Sequence, residues 1–170
     1  MMNKTALLPL FLLAGCVGCG PTPAADTSAQ DQAAIKALED KFMAAFNAKD
    51  ANAIMALYTP GDDLVVFDIS PPRQYTGWAA YKKDWEDGFA ANPGPVDMKL
   101  TDMAITVGGD VAYSHSIQSG SETDKDGKKI FMTVRVTDCY KKVDGQWLIS
   151  HEHVSVPVDL AAMKPDLDSK

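Results

Sequence analysis

Ile35, Leu38, Phe42 and Phe46 recur at helical spacing and predict one amphipathic helix over residues 29–48, with Ser28 and Asp31 as its capping signal. Asp50 can cap a short second helix carrying Ile54, Leu57 and Tyr58, which Pro60 and Gly61 end. Leu64 to Ile69 reads as a strand, broken by Ser70-Pro71-Pro72. After Gly77, an aromatic stripe of Trp78, Tyr81, Trp85 and Phe89 marks a third helix, stopped by Pro93-Gly94-Pro95.

From Val96 onward the period changes. Strands over about 96–107, 110–121, 129–143 and 146–156 are separated by Gly108-Gly109, by Asp124-Lys125-Asp126-Gly127 and by Asp144-Gly145, all hairpin signals. Helices first and an antiparallel meander afterwards form an α+β pattern, with the helices on one face of the sheet. The chain carries no internal repeat and no phosphate-binding glycine loop. It also lacks Gly-x-Ser-x-Gly and His-Glu-x-x-His.

The start follows another pattern. Lys4, an apolar run from Ala6 to Ala14, then Gly15 and Cys16 have the layout of a secretory signal. The run is too short for a membrane-spanning helix, which needs about 20 apolar residues. Leu13-Ala14-Gly15-Cys16 resembles the bacterial lipobox, which implies cleavage before Cys16 and a lipid on that cysteine; cleavage near Gly20 or Ala25 is the plainer alternative. Val17 after the cysteine is similar to lipoproteins sorted to the outer membrane, which implies a periplasmic location. Residues 1–15 are therefore expected to be a signal, 16–28 a flexible tether, 29–158 the domain and 159–170 a tail. A formal charge of -7 without a basic cluster argues against nucleic acid as a partner. Cys19 and Cys139 read as unpaired.

The element order, together with DGQWLISHEHVSVP at residues 144–157, resembles the nuclear-transport-factor-2-like superfamily (NTF2-like). The nearest likeness is to SnoaL-like and ketosteroid-isomerase-like proteins. Asp144-Gly145-x-Trp147 followed by His151-x-His153-x-Ser155 is also similar to the association domain of calmodulin-dependent protein kinase II. The resemblance implies an α+β cone, a curved sheet around a pocket closed by three helices, commonly paired as a homodimer through the sheet. It calls for no cofactor.

Which residues share the pocket depends on the last hairpin. A two-residue turn on Asp144-Gly145 pairs Val143 with Gln146 and sets Asp138 opposite His151. A three-residue turn sets Thr137 opposite His151 and Arg135 opposite His153. The longer turn is favoured, because it gathers Arg135, Thr137, Trp147, Ile149, His151, His153 and Ser155 on one face and leaves Asp138 and Glu152 on the other. Family proteins resemble that arrangement, and His115 is expected on the same interior face through the alternation of Tyr113, His115 and Ile117.

Arg135 with Thr137, His151 and His153 then suits a carboxylate or another small oxyanion, unless Arg135 is part of a buried network neutralised by Asp68. Tyr58, Trp78 and Trp85 would supply the apolar walls. Asp68 matches the position of the ketosteroid isomerase general base, and a turn aspartate serving backbone N–H groups is the equal alternative. His151 is the second candidate base. A metal on His151, His153 and His115 is disfavoured, because Arg135 would repel the cation. The expectation is thus an exported protein binding a small, partly apolar molecule with a carboxylate or carbonyl. The alternative is an isomerase, cyclase or hydratase using Asp68 or His151.

Overall fold

The computed structural model describes residues 28–167. The expected signal, Cys16 and the tether up to Thr27 lie outside the described residues. Helix α1 is Ser28–Ala48 and α2 is Ala51–Met55, followed by strands β1 (Val65–Phe67) and β2 (Tyr75–Thr76) and by α3 (Trp78–Ala91). Strands β3 (Val96–Gly108), β4 (Val111–Thr123), β5 (Lys129–Val143) and β6 (Gln146–Ser155) make the meander, and β7 (Val158–Asp159) pairs β8 (Lys164–Pro165) in a small hairpin. The stretch expected as a tail is thus partly ordered; the Leu167 carbonyl accepts the Thr133 N–H at 2.9 Å.

The six strands lie in the order β2-β1-β6-β5-β4-β3. All neighbours are antiparallel except β1 with β6. Helix α1 buries Ile35, Leu38 and Phe42 and shows water its Lys36–Asp40 pair. The Asp50 side chain accepts the Ala53 N–H at 2.9 Å and so starts α2 only two residues after α1 has ended. The aromatic stripe of α3 packs into the core: Trp85 meets Phe46 edge-on at 5.1 Å, and Tyr81 meets Tyr58 at 5.6 Å. Each fully buried side chain of this size contributes about 1.5–3 kcal/mol. Asn47 pins the outer strand β3 to α1, donating to the Met98 carbonyl at 3.0 Å and accepting the Met98 N–H at 2.8 Å.

The last hairpin follows neither expected register throughout. Asp144 and Gly145 both have positive φ, 50° and 80°, and Val143 pairs Gln146, so the turn has two residues. Tyr140 pairs Ile149, but Cys139 pairs His151, which leaves Ser150 as an inserted residue. The bulge falls where β6 changes its other neighbour. Ile149 exchanges backbone hydrogen bonds with Leu57 and Thr59, whereas from His151 onward β6 runs beside β1. Beyond the bulge Asp138 faces Glu152, Thr137 faces His153 and Arg135 faces Ser155.

That single insertion reverses the faces of β6. Trp147 and Ile149 point to the helices before it, Glu152 after it, and His151 and His153 are turned outward. On β5, Val134, Val136, Asp138 and Tyr140 are buried while Arg135 and Thr137 are exposed. On β4, Ala112, Ser114, Ser116 and Gln118 are buried while Tyr113 and His115 are exposed.

Candidate functional site

Three tyrosines and four carboxyl groups line the inside of the cone. Tyr58, three residues beyond α2, donates to Glu152 Oε2 at 2.6 Å, and Tyr81 of α3 donates to Glu152 Oε1 at 2.8 Å. The Tyr81 hydroxyl also stands 3.3 Å from Asp68 Oδ2. Deeper in, Tyr140 donates to Glu39 Oε1 at 2.8 Å and lies 2.8 Å from Ser114 Oγ. Asp138 faces Glu152 across the strands, 2% exposed, with Oδ1 lacking a partner among the described residues.

Burial governs the chemistry of these groups. Among the described residues no cation shifts Glu39, Asp138 or Glu152, and desolvation raises the proton affinity of each. Glu39 and Glu152 are pushed up to about 7, the first with help from the nearby Glu152 charge and the second against the hydrogen bonds from Tyr58 and Tyr81. Asp138 is held well above the ordinary carboxylate range, first by desolvation and then by Glu39 and Glu152. Tyr58 and Tyr81 are raised for the same reason and stay phenols.

Beside this network lies an open cavity of about 330 Å³. Phe46, Trp85, Phe89, Met98, Met132, Val134 and Val154 make it apolar. Asp68, Ser70, Asp84, Asn92, Gln118 and Glu122 give it polar groups, and among the described residues no lysine, arginine or histidine lines it. Gly120 sits between Met98 and Met132 in register, where an added Cβ would meet the Asp97 carbonyl oxygen at 2.0 Å. Asp68 has a raised proton affinity, chiefly from burial, opposed by the backbone N–H of Ser70 and reinforced by the charge of Asp84. Asp84 in turn accepts a hydrogen bond from Tyr75 at 2.6 Å. Trp85 keeps its indole N–H buried with no acceptor among the described residues.

Of the residues expected to form the site, Asp68 and Trp85 meet at this cavity. Tyr58 stands behind it in the carboxyl network. Trp78 serves the fold, its indole N–H donating to the Met55 carbonyl at 2.8 Å. The expected set of Arg135, Thr137, His115, His151 and His153 does share one face, with Thr137 between His115 and His153 in register, but that face is the outer one; the Ser150 bulge separates His151 and His153 from Trp147 and Ile149, which stay inside. His151 Nδ1 bonds the Val65 carbonyl at 2.7 Å, and both imidazoles sit edge-on to Phe67. His151 is therefore no candidate base for the cavity. Among the described residues, no three His, Cys, Asp or Glu side chains form a metal-holding group.

Glu152, Asp138, Tyr81 and Glu39 were not among the expected site residues. A signal for one of them was present: Val134, Val136, Asp138 and Tyr140 share one alternation, so the aspartate continues an apolar face. Nothing in the sequence marks the extra residue at Ser150, and Glu152 could not be placed without it.

Residues 35–159 match the family model described as the SnoaL-like domain. No curated protein matches the chain. Among solved structures, an NTF2-like protein of unknown function from Pseudomonas putida KT2440 is 30% identical, with a TM-score of 0.75 over 84% of this chain and 98% of that one. A ketosteroid isomerase-like protein from Erwinia carotovora atroseptica SCRI1043 is 23% identical, with a TM-score of 0.64 over 74% and 95%. An NTF2-like superfamily protein from Salmonella enterica serovar Typhimurium LT2 is 18% identical, with a TM-score of 0.70 over 78% and 94%. The α+β cone expected from the element order is thus the NTF2-like fold.

Proposed function

The chain belongs to the SnoaL-like family, and on that footing we propose that its cavity binds a small, partly apolar molecule through a carbonyl group. The observation that carries this reading is Trp85, a cavity residue whose buried indole N–H has no acceptor among the described residues. A ligand carbonyl would supply one, and buried donors are rarely left without partners. Asn92, Gln118 and Ser70 offer further donors. The carboxylate half of the sequence expectation loses its support, since Arg135 is outside and the cavity carries Asp68, Asp84 and Glu122. A panel of aromatic ketones, matched carboxylates and matched hydrocarbons, followed by tryptophan fluorescence, tests the proposal. The ketones should bind best, and Trp85→Phe should weaken them about tenfold, the cost of one lost buried hydrogen bond. Equal binding of ketones and hydrocarbons would sink it.

A second reading has Asp68 act on the bound molecule as an acid–base group. It is favoured by a carboxyl of raised proton affinity at the cavity edge, held beside a phenol. Exchange of the α-protons of a bound ketone in D2O, followed by NMR, should then vanish in Asp68→Asn while binding persists.

Two properties outside the cavity belong to the same proposal. Export and lipid anchoring rest on Cys16 and its preceding apolar run; Cys16→Ser should release the protein from the membrane fraction. Pairing through the sheet rests on the outer face, where Val111, Tyr113 and Phe131 are 57%, 49% and 61% exposed. Tyr113→Glu should reduce a dimer to monomer in sedimentation.

A further inference from the structure

The Tyr81 hydroxyl has one proton and two carboxyl neighbours. It lies 2.8 Å from Glu152 Oε1 and 3.3 Å from Asp68 Oδ2. Glu152 Oε2 is already served by Tyr58 at 2.6 Å. When Tyr81 donates to Glu152, its contact with Asp68 is favourable only if Asp68 carries a proton and donates to the phenol oxygen. When Tyr81 donates to Asp68, the same count requires a proton on Glu152. Either way the three groups hold two protons, that of the phenol and one more.

We propose that Tyr81 relays a proton between the cavity carboxyl of Asp68 and the buried carboxyl of Glu152, so that the two share one exchangeable proton. The inference rests on Asp68 being the cavity's acid–base group. Transfer is a paired hop: the Asp68 proton passes to the Tyr81 oxygen as the phenol proton passes to Glu152 Oε1. Asp68 ends ionised, Glu152 ends neutral and Tyr81 is regenerated, so the step needs no outside reactant. A proton taken from a ligand by Asp68 is thereby stored in the core, and the base is restored.

The surroundings fit an exchange of this kind. Glu152 is faced by Tyr58 beyond α2, Tyr81 of α3, Asp138 of β5, Asp68 after β1 and Glu39 of α1, with no cation among them to trap the charge on one carboxyl. Asp68 is faced by Ser70, Tyr81 and, by its charge, Asp84. Burial raises the proton affinities of both carboxyls above their ordinary values, which favours retention of a shared proton.

The test is carbon-13 NMR of the full chain with labelled Asp and Glu side-chain carboxyls, assigned with Asp68→Asn and Glu152→Gln and titrated by pH. In the native chain the Asp68 and Glu152 signals should each show both of two common steps, as a coupled pair does. In Tyr81→Phe the relay is lost, and each carboxyl should follow its own single step. Should that variant not fold, fluorotyrosine in place of Tyr81 provides the reading: it keeps the ring while loosening the phenol proton, and both common steps should move, whereas steps that stay where they were would overturn the relay. Separate single steps in the native chain, or a pattern unchanged by Tyr81→Phe, would overturn the relay, the latter by showing that the coupling runs through space. Ketone binding measured on the same variants keeps the two proposals apart, since the cavity reading fails on affinity and the relay fails on titration.

Discussion

Asp138 and Glu152 face each other across β5 and β6 on the inside of the cone, 2% and 3% exposed. Two buried carboxyls so placed cannot both ionise cheaply, and Glu39 adds a third from α1. The interior of this protein is therefore built to hold protons.

Stability should fall as pH rises. Glu39 and Glu152 release their protons at the ordinary glutamate value of 4.5 when the chain is unfolded but only near 7 when it is folded. Below 4.5 both states are protonated and these groups' stabilising contribution is fully present. Between 4.5 and about 7 the unfolded state releases protons first, so the contribution is lost, and above that window the loss is complete. The melting temperature should be higher at pH 5 than at pH 8, and Glu152→Gln should flatten the slope. A melting temperature that is level or rises over that range would contradict the protonated core.

Asp31→Ala should destabilise the fold by about 1–3 kcal/mol, because it leaves two partners behind. Asp31 Oδ1 accepts the Trp147 indole N–H at 3.0 Å and pairs with Lys142 Nζ at 2.6 Å, tying the start of α1 to the last hairpin. Urea denaturation measures the loss.

Two glycines should respond in opposite ways to alanine. Gly120→Ala drives a methyl into the Asp97 carbonyl and should cost about 2 kcal/mol or more, with the cavity between Met98 and Met132 narrowed. Gly88→Ala lies in α3 with nothing within 4 Å of the new Cβ. It should stabilise by about 0.5–1 kcal/mol. Thermal melts of both variants, with ketone binding on each, separate the two effects.

Arg135→Ala should leave ketone and carboxylate affinities of the cavity unchanged, since its side chain is exposed on the outer face. A drop in affinity for carboxylates alone would restore the wall expected from the sequence.

The local signals along the chain were sufficient for its architecture. Helical spacing from Ile35 to Phe46, the Asp50 cap and the three hairpin turns determined the element order and, within a residue or two, the long elements. The α+β cone follows, because an apolar helix face and a long meander have few ways to cover each other. Asp68 and Trp85 were also legible, being placed by a strand end and a helical stripe. The identity of the pocket wall was not. It turned on Ser150, one inserted residue where β6 leaves Tyr58 and joins β1, segments more than 80 positions away. Strand alternation has a period of two, so one such residue exchanges every side chain beyond it between core and outer face. Local sequence determined the strands; only the long-range pairing decided that Glu152 faces Tyr81 while the histidines on either side of it face out.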